Sequence, residues 1–201
     1  MPALPFIYLL ISISILDLLR HFKKILNINY LVFSILIFSS VAFSLSYFIT
    51  VFVRPDTRVE ASTFAKDNIQ ANSRILSEPY DLGIMSFNDL SHNIIFFNFY
   101  DLETGKNALQ NELKTDIEAS DYIILPSQRL IRSRSLNKNE FPKGYDFYSS
   151  LQNGRLGYLK IYETPCDIFC KITYLNNPVF GFEETATVFD RPTVFIFKKT
   201  L

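Results

Sequence analysis

Tryptophan is absent from this 201-residue chain, histidine and cysteine occur twice each, and glycine occurs only six times. Each scarcity removes a class of function. Zinc usually takes four ligands, and His21, His92, Cys166 and Cys170 do not assemble such a set along the chain, so no metal is expected. The glycines, Gly83, Gly105, Gly144, Gly154, Gly157 and Gly181, are scattered, and neither GxGxxG nor GxxxxGK[ST] occurs. A dinucleotide or P-loop site needs glycine where backbone must approach phosphate, so no cofactor is expected. There is no GxSxG elbow, and a Ser-His-Asp arrangement has only His92 to draw on, in a polar turn after Ser91. Net charge is also missing, with 20 basic and 20 acidic residues. That balance excludes the basic excess of a phosphate-tracking surface, and no nucleic-acid partner is expected.

What the chain does have is an apolar run. Leu31 to Val53 carries no charge, and Arg54, Pro55 and Asp56 follow it at once. As a helix it spans roughly 35 Å, enough for a hydrocarbon core of about 30 Å with some tilt. A first apolar stretch, Leu4 to Leu19, is shorter and includes Asp17, which is placed to pair with Arg20 or reach the interface. Basic residues follow this stretch and do not precede it, the reverse of a cleaved signal peptide. The sequence therefore predicts a membrane region over residues 1–53 with helices at 4–19 and 31–53, and a soluble domain over 54–201. Arg20, Lys23 and Lys24 keep the short loop in the cytoplasm, so both the N-terminus and the domain after Val53 are expected outside the plasma membrane. His21 and His92 then lie on opposite sides. Membrane lipids are the expected partners of the basic loop and of Arg54 and Arg58 where the helix leaves the membrane, either as lipid-phosphate contacts or as interfacial anchors.

Past the membrane, Thr57 to Ile69 has the spacing of an amphipathic helix and Asn72-Ser73 breaks it. Arg74 to Ser77 and Asn93 to Asn98 read as strands, the second as a buried one. Lys106 to Ile117 reads as a helix, Asp121 to Pro126 as a strand, Tyr145 to Gln152 as a helix stopped by Gly154, and Leu156 to Tyr162 as a strand. Thr185 to Phe189 and Thr193 to Phe197 flank Asp190-Arg191-Pro192 and predict a hairpin or sharp strand entry. Strands alternating with helices imply an α/β fold: a Rossmann-like three-layer α/β/α domain with a mostly parallel sheet. Cys166 and Cys170 form either a local disulfide, in an oxidising compartment, or a pair of reduced thiols. Asp81, Glu183, Asp190 and Arg191 are polar residues at the ends of apolar strands, where an α/β sheet presents ligand contacts. They are the candidates for facing a donor or acceptor, against the plainer reading that each is a turn or cap residue. No catalytic residue is assigned.

Several segments, in order, carry a resemblance: Arg54-Pro55-Asp56-Thr57-Arg58 to Ser62, Asn68-Ile69 with Ser73 to Asp81, Ser120-Asp121-Tyr122 to Arg129, Tyr145 to Tyr148 with Gly154 to Tyr158, and Glu183-Glu184 to Lys199. Together they resemble the C-terminal end of bacterial family 39-type membrane glycosyltransferases, themselves similar to protein-mannosyltransferases and aminoarabinose transferases. Tyr80 and Asp81 stand where those relatives often have tryptophan and paired acids, and Arg191 where they often have histidine. The resemblance implies a polyprenyl-phosphate sugar donor, many spanning helices and a catalytic acid in a first outer loop. That loop has no counterpart here. The chain is thus expected to be the C-terminal portion of such an enzyme, inactive alone, with the multi-span remainder as partner; the alternative is a membrane-anchored non-enzymatic binding or assembly module.

Overall fold

The computed structural model describes residues 4–21, 26–79, 93–104, 107–181 and 184–200. The chain divides into two compact units, Met1–Leu45 and Ser46–Leu201. The second unit thus begins eight residues before Arg54, where the sequence placed the domain boundary.

In the first unit, α1 (Leu4–His21) precedes α2 (Leu26–Phe48), whose last three residues belong to the second unit. Among the described residues one stretch, Tyr30–Val53, is long and apolar enough to cross a membrane. Two of its serines follow the rule that a polar side chain in an apolar helix bonds its own backbone: Ser39 and Ser40 donate to the Leu36 carbonyl at 3.0 and 2.7 Å. Asp17 and Arg20 of α1 pair across one turn at 3.5 Å, as expected.

The apolar stretch ends in a π-helical turn, Ile49–Val53, closed by the Arg54 N–H on the Ile49 carbonyl. Arg54 is extended, as a residue before proline must be. Asp56 then caps α3 (Thr57–Asn68) by accepting the Arg58 N–H at 2.8 Å. Asn72, at φ 64°, turns the chain into β1 (Arg74–Ser77).

The remaining elements are β2 (Asn93–Phe96), a 3₁₀ turn at Phe99–Thr104, α4 (Asn107–Ala119), β3 (Tyr122–Leu125), α5 (Arg129–Leu136), α6 (Pro142–Gln152), β4 (Tyr158–Glu163), α7 (Ile168–Thr173), a π-helical turn at Ala186–Asp190 and β5 (Phe195–Lys199). The five strands form one sheet in the order β2-β1-β3-β5-β4. β1 pairs in parallel with β2 and β3, whereas β5 runs antiparallel to both β3 and β4. The fold is mixed α/β, with the expected parallel strands at one side and a reversed β5 inserted at the other.

Alternation along the strands divides the core. Leu76, Ile123, Leu125, Phe195 and Phe197 point to the face covered by Leu113 of α4, Leu130 and Ile131 of α5, and Phe147, Tyr148 and Leu151 of α6. Ile75, Tyr122, Ile124 and Ile196 point to the other, where α3 supplies Ala61 and Ala65. The alanines let α3 approach the sheet closely, and a side chain such as Ile124 contributes about 1.5–3 kcal/mol by its burial. Two buried tyrosine hydroxyls in this core are paired: that of Tyr148 donates to Glu78 at 3.0 Å, and that of Tyr158 lies 2.6 and 2.7 Å from the Ile117 and Ser120 carbonyls at the end of α4.

Two expectations are corrected. The segment read as a buried strand is β2, an edge strand with Asn93 and Phe96 exposed and Ile94 and Ile95 half-buried. Thr185 to Phe189 is no hairpin arm. β5 already bonds β3 on one side and β4 on the other, so no edge is left for it, and residues 186–190 coil into a helical turn instead.

Candidate functional site

A pocket of about 200 Å³ lies where the apolar helix ends, lined by Thr50, Arg54, Pro55, Thr57, Glu60, Pro165, Asp167 and Arg191. Three separate stretches of chain build it. Thr50 belongs to the π-helical turn, Pro55, Thr57 and Glu60 to the start of α3, and Pro165, Asp167 and Arg191 to the segments that flank α7 and precede β5.

The pieces are held by specific bonds. The Thr57 hydroxyl donates to the Pro192 carbonyl at 2.7 Å, fixing α3 against the entry to β5. Arg54 Nη2 donates to Asp167 Oδ2 at 2.7 Å, while Asp167 Oδ1 accepts the Cys170 N–H at 2.9 Å and caps α7. That backbone bond, with help from Arg54, holds the Asp167 carboxyl below the usual carboxylate range. Cys166 and Cys170 form a disulfide, with Cα atoms 5.3 Å apart, so the thiol alternative is set aside.

Arg191 is the centre of the pocket. It is 7% exposed, and its Nη2 donates to the Pro165 carbonyl. Its Nη1 is buried and finds no hydrogen-bond partner among the described residues, and the same is true of Oγ1 of Thr50, which is 3% exposed. Burial lowers the proton affinity of the Arg191 guanidinium, and the nearby charges of Asp167 and Glu60 work against that loss. An arginine still keeps its proton at any ordinary pH, so a buried cation with an unused donor stands beside an unused hydroxyl.

The other residues singled out from sequence are distributed differently. Asp190 sits at the end of the second π-helical turn and accepts a hydrogen bond from the Tyr47 hydroxyl at 2.6 Å. Arg58 folds back on its own cap, with Nε and Nη2 at 3.0 and 2.6 Å from the two Asp56 oxygens, and does not line the pocket. Asp81, Glu183 and His92 lie outside the described residues. The structure therefore joins Arg54 to Arg191 across 137 positions of sequence and leaves Arg58 and Asp190 as structural ties.

Thr50 and Glu60 were not anticipated. A threonine amid apolar residues at the end of a span is a weak signal, and Glu60 looks like any first-turn acid of a helix. Among the described residues no cluster of three or more His, Cys, Asp or Glu could hold a metal. No known protein family, curated protein or solved structure matches this chain, so its functional reading rests on its own residues.

Proposed function

We propose that the chain serves as the C-terminal portion of an integral-membrane glycosyltransferase that draws on a polyprenyl-phosphate sugar donor, with the catalytic first outer loop lying outside these 201 residues. One observation carries this reading. The segments that bear the resemblance, far apart in sequence, converge: Arg54, Pro55, Thr57 and Glu60 meet Arg191 around one pocket, and Gln128 of a third segment binds the backbone at Thr187 and Thr193. The apolar stretch Tyr30–Val53 runs directly into that assembly, which supports a role at a membrane surface. The Cys166–Cys170 disulfide supports an extracytoplasmic position for the α/β unit, with α1 as a second membrane helix and Lys23 on the cytoplasmic side. Helices on both faces of the sheet support a Rossmann-like three-layer reading.

A second reading is a membrane-anchored module that binds without catalysis. It is favoured by the occupation of the described candidate groups in structural bonds, Asp190 with Tyr47 and Arg54 with Asp167. Affinity purification of the tagged chain from its native membranes, in mild detergent, separates the two. The transferase reading expects a co-purifying multi-span protein with an acidic first outer loop. Recovery of the chain alone, together with binding of a free glycan by residues 46–201, would establish the module instead.

A further inference from the structure

The pocket at the end of the apolar helix has a charge pattern that narrows its ligand. Two arginines, Arg54 and Arg191, face two acids, Glu60 and Asp167, so the lining is neutral overall. Asp167 is already engaged on both oxygens, by Arg54 and by the Cys170 N–H. The unused capacity is unequal in kind. On one side are two buried donors without acceptors, Arg191 Nη1 and Thr50 Oγ1. On the other is the half-buried Glu60 carboxylate on the first turn of α3.

A bare phosphate would satisfy the donors but meet repulsion from Glu60, and a bare amine would meet repulsion from Arg191. A group carrying both charges suits both halves. The volume of about 200 Å³ equals roughly six or seven waters at about 30 Å³ each, the scale of a small head group and too little for a nucleotide sugar. Thr50 lies within the last turn of Tyr30–Val53, so the pocket stands at the level where an apolar segment gives way to polar chain.

We propose that this pocket binds a zwitterionic phosphate–ammonium group of the phosphoethanolamine type, its phosphate oxygens accepting from Arg191 Nη1, Thr50 Oγ1 and Arg54, and its ammonium facing Glu60. The shared chemistry is that of a soluble phosphoethanolamine and of a phosphatidylethanolamine head. The inference stands apart from the transferase reading, because binding needs neither a sugar donor nor a partner chain.

The test uses the full chain in a non-ionic detergent, with phosphoethanolamine and orthophosphate as separate probes followed by ³¹P line broadening, and thermal melting to verify that each variant is folded. The wild type binds phosphoethanolamine more tightly than orthophosphate. Thr50→Val, which keeps the shape and removes the hydroxyl, and Arg54→Gln each weaken both probes, by about tenfold for one hydrogen bond to a charged group. Glu60→Gln gives the distinguishing result: it weakens phosphoethanolamine about tenfold and tightens orthophosphate. Native mass spectrometry in micelles doped with phosphatidylethanolamine or phosphatidylglycerol then identifies the source. Retention of the first lipid, lost in Thr50→Val, indicates a membrane head group, and phosphoethanolamine binding without lipid retention indicates a soluble ligand. Absence of binding by the folded wild type, or tighter binding of both probes by Glu60→Gln, would overturn the proposal.

Discussion

The side-chain amide of Gln128 holds the backbone of Thr193: its Oε1 accepts the Thr193 N–H at 2.7 Å while its Nε2 donates to the Thr187 carbonyl at 2.8 Å. Gln128 is fully buried, so neither bond has water as a substitute. This one residue links the end of β3 to the helical turn and to the entry of β5, which delivers Arg191 to the pocket. Gln128→Leu fills similar space but orphans a buried N–H and a buried carbonyl, at about 1–3 kcal/mol each. The expected loss is about 2–6 kcal/mol by urea unfolding, and a loss under about 0.5 kcal/mol would show that the turn is held from elsewhere.

Two glycines are required for different reasons, and their variants rank accordingly. A Cβ at Gly181 would stand 2.5 Å from the Tyr174 carbonyl oxygen and 2.7 Å from that of Asn177, so backbone must move. At Gly154 a Cβ would meet its nearest atom at an ordinary contact distance of 3.5 Å, and only the left-handed φ of +72° opposes a side chain, at about 1–2 kcal/mol. Thermal melting should show Gly181→Ala as the more damaging of the two. The reverse order would contradict the close approach.

Reduction of the Cys166–Cys170 bond opens a loop of only five residues. Loop-closure entropy for so short a ring is about 2 kcal/mol, small beside that of a long-range bridge. A melt with and without dithiothreitol should therefore show a modest downward shift with the fold retained. Complete unfolding on reduction would mean that the bridge does more than restrict the open chain.

Acid should loosen the pocket. The Cys170 N–H and Arg54 hold Asp167 below its ordinary value, and the Arg58 side chain does the same for Asp56. Both groups bind a proton more readily unfolded than folded, so their stabilisation is complete above the ordinary carboxylate value of about 3.9 and disappears as pH falls through the lowered folded values. Melting temperature should drop between pH 5 and the acid limit, more gently in Asp167→Asn. An acid limb of unchanged steepness in that variant would remove Asp167 from the explanation.

Much of the α/β unit was legible in the residues. Helical spacing located α3 to within one residue, and the apolar runs at Arg74–Ser77 and Tyr122–Leu125 became neighbouring strands. Local pattern could not tell that Ile94 and Ile95 belong to an edge, since a short apolar run looks alike at the edge and centre of a sheet. Nor could it tell that Thr185 to Phe189, rich in strand-forming residues, would coil. The occupied edges of β5 and the grip of Gln128 on Thr187 decide that, and both are tertiary. The polar helix α5, Arg129–Leu136, and the one-turn α7 were missed because neither carries a long apolar stripe. The pocket was half legible: Arg54 and Arg191 stood out by their charge, but their meeting, and the part of Thr50 and Glu60, depend on contacts that no spacing reveals.

The proposed part of this chain in sugar transfer from a lipid-phosphate carrier is open to direct measurement in membranes from cells lacking it. Transfer of radiolabelled sugar from a polyprenyl-phosphate donor should fall to background there, return when the full chain is restored, and be absent with the purified chain alone. Transfer at the normal rate in the deleted membranes would contradict the claim.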